Sequence, residues 1–177
     1  MDSKASKLLI SLKTYYKDPK RLQVLMNIIS NSSDVSLRLI DWLVTNYSKS
    51  QNVVYEVGNK PFHLHQNYKN MLKAYSKKMF DPFRRHNRLY LDVQGGVFET
   101  TVAQLTFFKW AIEHKVIKYA HQHKEAIKTN METNHRGDLK KKTQNKGAHI
   151  YSVNMTISFS WVSFFEIRYY RNNGTFC

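Results

Sequence analysis

Apolar residues recur at helical spacing through the first 47 positions, and the interruptions fall at residues that end or begin helices. Ala5, Leu8, Leu9, Leu12, Tyr15 and Tyr16 predict a helix over residues 3–16. Asp18-Pro19 closes it and offers a cap and a first-turn proline to a second helix, whose stripe is Leu22, Leu25, Met26 and Ile29. After the polar stop SNSSD, residues 34–47 (DVSLRLIDWLVTNY) predict a third helix with Ser33 as N-cap. Its apolar residues fall on more than one face, which makes it the most buried helix expected in the amino-terminal half.

The pattern then shortens. NVVYEV and FHLH read as two strands around a four-residue turn, GNKP. Helical spacing returns with Tyr68, Met71, Leu72, Tyr75 and Met79, and it must stop at Asp81-Pro82 because the residue before proline is driven out of the α region. RLYLDV, residues 88–93, is a strand, and Gly95-Gly96 turns the chain. Thr101 to Gln104 fits a T-x-x-Q capping box opening one long helix with Leu105, Phe108, Ile112, Val116 and Tyr119 on its stripe. NHRGDLKKKTQNKG has no apolar period. The clearest strand follows, where Tyr151, Val153, Met155, Ile157, Phe159 and Trp161 alternate with Ser152, Asn154, Thr156, Ser158 and Ser160.

These elements imply an α+β fold: a helical amino-terminal third, short hairpins, one long helix and a late strand in a small antiparallel sheet. The expected organisation is a mainly helical α+β domain over 1–133, a basic linker over 134–147, a strand over 148–161 that packs back on the domain, and a tail over 162–177 to which the pattern assigns no role. A chain of 177 residues is long enough for one well-packed core. No run of eighteen apolar residues occurs, and Lys7 and Lys13 interrupt the apolar start, so neither a membrane span nor export is expected. The single cysteine, Cys177, leaves no intramolecular disulfide framework and suits a reducing compartment.

Charge changes the picture more. The formal net charge is +15, and it is clustered. Residues 60–90 hold eight Lys or Arg against one Asp, and residues 115–146 hold nine against three acids. A clustered cationic excess attracts phosphate polymers or anionic surfaces through long-range field and counterion release. The 20 lysines and 14 asparagines also suit A/T-rich coding, which supplies lysine without any function. Arginine is explained less well that way. In KAYSKKMFDPFRRHNR the candidate phosphate contacts are Lys73, Lys77, Lys78, Arg84, Arg85 and Arg88, with Tyr75, Phe80 and Phe83 as rings for base stacking or as packed core. Lys140, Lys141 and Lys142 form a second basic run, either a phosphate-binding arm or a solvated linker.

Other chemistry finds little footing. The order of helix two, turn, helix three and hairpin is that of a winged helix-turn-helix, but the third helix has little polar face, and Asp34 and Asp41 would repel phosphate. His63-x-His65 shares a strand face without a carboxylate nearby, and His121-x-His123 diverges on a helix, so no metal and no cofactor are expected. Asp81 and Asp92 lack the third partner a Mg²⁺ site needs, and Asp81 better suits ordering the turn at Pro82.

SLRLIDWLVTNYSK (36–49), YKNMLKAYSKKMFDPFRRHNRLYL (68–91) and TTVAQLTFFKWAIEHKVIKY (100–119), with the closing amphipathic strand, resemble uncharacterised proteins encoded by nucleocytoplasmic large DNA viruses. The resemblance covers roughly residues 34–160 and implies a viral, cytoplasmic setting; it brings no activity. Basic surface and resemblance together imply a non-enzymatic protein of cytoplasmic replication or assembly, or of the virion, that binds DNA or RNA without strong sequence preference. The alternative is a structural or interaction protein whose basic face docks acidic viral proteins.

Overall fold

The computed structural model describes the backbone of residues 3–93 and 96–144, and the side chains within it of residues 6–76, 78–93 and 96–134. The predicted strand over 151–161 and the tail over 162–177 lie outside the described residues.

Helix α1 (Ser3–Tyr15) and helix α2 (Pro19–Ile29) meet at Asp18, whose side chain accepts the Lys20 N–H at 2.9 Å while Pro19 opens α2, as the sequence predicts. The third helix departs from expectation at its start. Its cap is Ser36, which accepts the Leu39 N–H at 3.2 Å, and Ser33 instead accepts the Val35 N–H in the preceding turn. Helix α3 (Leu37–Trp42) widens into a π-helical turn (Leu43–Tyr47) and closes as α4 (Ser48–Ser50). Leu39, Ile40, Leu43 and Val44 are all buried, which fits the predicted burial and leaves Arg38 as an exposed cation on this element.

The first hairpin pairs β1 (Val54–Val57) with β2 (Lys60–His63), Val57 opposite Lys60. Its turn is two residues, not the four predicted. Gly58 and Asn59 both take positive φ, 58° and 61°, the geometry that matches the twist of paired strands, so pairing resumes at Lys60. Among the described residues Pro61 sits in a strand with one neighbour, where a missing N–H is tolerated. The hairpin seats on the helices through Tyr55, which donates to the His114 carbonyl at 2.9 Å and stacks on Tyr119 at 5.1 Å.

Helix α5 (Leu64–Met79) contains a kink at Ser76, with φ 60° and ψ 162°, and ends before Asp81-Pro82. The second hairpin pairs β3 (Arg88–Val93) with β4 (Gly96–Thr101), Leu91 opposite Phe98. Thr101 then caps α6 (Val102–Glu113) by accepting the Gln104 N–H at 3.2 Å.

Helix α6 is the centre of the protein. Ala103, Leu105, Phe107, Phe108, Trp110 and Ala111 are buried on all sides of it, the mark of a helix surrounded by neighbours instead of one with a single apolar stripe. It packs against α1, α2, α5, α7 and β4. Phe80, 1% exposed, lies within 5.4 Å of both Phe107 and Trp110, and the Trp110 indole N–H donates to Asn67 at 2.7 Å. The predicted single long helix is broken in two places. Lys115 adopts φ 57° between α6 and α7 (Val116–Gln122), and a turn at His123 precedes α8 (Lys124–Gln144). The carbonyl that the first break frees at His114 is the one Tyr55 caps. Helix α8 continues to Gln144, so residues 134–144, read as linker from the sequence, extend that helix.

Candidate nucleic-acid interface

The arginine-bearing turn between α5 and β3 is fixed at several points. Asp81 accepts the Phe83 N–H through its carboxylate at 2.8 Å and the Arg84 N–H through its carbonyl at 3.3 Å. An aspartate before proline is suited to this local bridging, and the turn-ordering role expected of Asp81 is what these bonds display. Gln104 donates to the Pro82 carbonyl at 3.0 Å, and Thr101 donates to the Arg84 carbonyl at 3.4 Å. The same two residues that open α6 therefore hold the turn, and Phe80 anchors its start in the core. Gln104 spends its side chain on Pro82 and Thr100, so only the Thr101 half of the capping box is realised.

The candidate cations differ in their freedom. Lys73, Lys78, Arg85 and Arg88 are exposed and Arg84 is half-buried. Among the described residues, no carboxylate pairs with Lys73, Lys78, Arg84 or Arg85. Arg88 is different: it forms an ion pair with Glu99 across the β3–β4 hairpin and donates to the Arg85 carbonyl at 3.2 Å. The side chain of Lys77 lies outside the described residues, as do those of Lys140, Lys141 and Lys142, whose backbone belongs to α8.

The candidate rings separate as well. Phe80 is core, and Tyr75 is half-buried with its ring 6.3 Å from that of Phe80, so neither offers a face to a base. Phe83 is 43% exposed beside Arg84. Tyr90, 66% exposed on the outer face of β3, is an exposed ring that the charge pattern did not single out; its place between Arg88 and Asp92 in an alternating strand is the signal that marks it. Among the described residues no three His, Cys, Asp or Glu side chains gather around a common point, and no helix is long and apolar enough to cross a membrane.

Residues 2–161 match the family of unknown function DUF7197, and the chain belongs to that family. It is 36% identical over 157 residues to the uncharacterized protein L507 of Acanthamoeba polyphaga mimivirus, a match that takes in 82% of this chain and 61% of that protein. The chain thus spans about three fifths of the length of that relative. A giant-virus family is what the sequence resemblance implied. No solved structure matches the chain.

Proposed function

We propose that this is a non-enzymatic viral protein of cytoplasmic replication or assembly that binds nucleic acid without strong sequence preference. The observation that carries the reading is the pinned turn bearing Arg84 and Arg85: two arginines without acidic partners among the described residues, beside the exposed ring of Phe83, on a loop tied by Asp81, Thr101 and Gln104. A loop ordered before binding gives up little conformational freedom when it meets phosphate. Exposed Lys73 and Lys78, with the net charge of +15, add long-range attraction. Backbone contacts of this kind position a polymer and do not read its sequence.

The test is anisotropy titration of single-stranded and duplex DNA and RNA of mixed sequence at ~50 mM salt, the range in which phosphate contacts are strong. Binding that weakens with salt and varies little with sequence supports the reading. Absence of binding to all of them overturns it. Salt-sensitive binding to polyglutamate, lost with Arg84→Ala, would then assign the turn to an acidic protein partner.

A further inference from the structure

Among the described residues strand β3 has an open edge, and the cavity of about 600 Å³ between it and the α1–α2 corner lies along that edge. Four consecutive residues of β3, Tyr90 to Val93, line the cavity, and no residue of β4 does. Successive strand residues point to opposite faces, so a cavity touching all four in a row runs beside the strand and not over one face. The opposite wall is mixed: Leu12, Tyr16, Leu22 and Met26 give it an apolar part, and Lys13, Lys17 and Gln23 a polar one. Leu22, Met26, Leu91 and Val93 are only partly covered. Beyond β4, β3 pairs with no other described strand. An unpaired edge beside uncovered apolar side chains is a template for one more strand.

We propose that this edge is the docking site of the chain's own segment Tyr151–Trp161, which adds to β3 as a third strand. Four observations select that occupant. Its eleven residues alternate strictly between apolar and polar, which is longer than the six of β3 needs. Its faces match those of the hairpin: Leu89, Leu91 and Val93 are the partly buried face of β3, and Arg88, Tyr90 and Asp92 the exposed one. Val153, Met155 and Ile157 continue the first toward α1 and α2, while Asn154, Thr156 and Ser158 continue the second into water. The segment also carries no charge to bury, and the family match includes it, ending at residue 161 with the last alternating apolar position.

The test is backbone NMR of the full chain. Cross-strand contacts between amides of Leu89–Val93 and those of 151–161 are expected, together with outward-facing β3 amides that exchange slowly. Ile157→Asp should speed exchange of those β3 amides by about tenfold or more while α6 amides stay protected, because only the added strand is lost. Ser158→Asp, on the water-facing side, should leave β3 protected. Fast β3 exchange in the unaltered protein, contacts of the segment with β4 or another element, or contacts appearing only between differently labelled copies in a mixed sample each overturn the proposal.

Discussion

The hydroxyl of Tyr16 donates to the backbone carbonyl of Leu105 at 2.9 Å, across 89 positions of sequence, and so ties the end of α1 to the first turn of the central helix. Both residues are buried, and burial drives the Tyr16 phenol far above the ordinary tyrosine pKa. Tyr16→Phe keeps the ring and removes the donor. We expect a loss of about 1 kcal/mol in urea unfolding, with an unchanged denaturant slope because the fold stays as compact.

Alkaline pH should attack the same interior. Burial raises the phenol of Tyr68 to about 12, and burial likewise raises those of Tyr16 and Tyr55, from an ordinary value of 10.0. A group whose folded pKa lies above its unfolded one stabilises fully below the unfolded value, and the contribution disappears as pH rises through the folded value. For Tyr68 solvent screening of the phenol trims the effect to on the order of 1 kcal/mol, lost between about pH 10 and 12. Unfolding curves at pH 8 to 11.5 should show stability falling above pH 10, with a smaller fall in Tyr68→Phe.

The three arginines of the turn should not count equally in binding. A protein that neutralises about five phosphates on duplex DNA loses affinity with a log–log salt slope of roughly −4 to −5. Arg84→Ala and Arg85→Ala should each flatten that slope by about one, and weaken binding alike on different sequences. Arg88 already faces Glu99, so Arg88→Ala should flatten it less, and Glu99→Gln should strengthen binding by releasing the arginine. Equal effects at 85 and 88 would show that the Arg88–Glu99 pair does not persist in solution.

Thr101 couples the turn to the helix without carrying charge. Thr101→Val removes both the cap of α6 and the bond to the Arg84 carbonyl, at a cost of about 1–2 kcal/mol in stability. Measured well below the unfolding midpoint, nucleic-acid affinity should fall while the salt slope stays constant, because the cations remain and only their fixed arrangement is lost.

What the sequence disclosed was local. Asp18-Pro19, Asp81-Pro82 and Thr101 act within a few residues, and each marks its boundary as read. The breaks at Lys115 and His123 escaped because no glycine or proline stands there; the first is stabilised by Tyr55, 59 positions away, which supplies the missing donor. Ser33 and Ser36 are equally good caps by composition, and tertiary packing of Val35, 0% exposed, decides between them. At the candidate site the excess of cations was legible, but not their pairing: Arg88 meets Glu99 through hairpin register, and Phe80 is taken by the core. The breadth of α6 burial was hidden for a similar reason, since a stripe describes one contact face and this helix has several.

The π-helical turn over Leu43–Tyr47 bears on how related chains can differ in length. Such a turn holds one residue more than an α-turn, and here the Val44 carbonyl accepts the Ser48 hydroxyl at 2.9 Å and lies 3.4 Å from a ring nitrogen of His65. Losing one residue in this stretch converts it to ordinary α-helix and leaves the residues on either side in phase. The same deletion ahead of Trp110 in α6 would rotate everything after it by about 100° and take Trp110 away from Asn67 and Phe80. Single-residue gaps among relatives should therefore be found at 43–47 and not at 102–113, a tolerance written into the backbone at one place and withheld at the other.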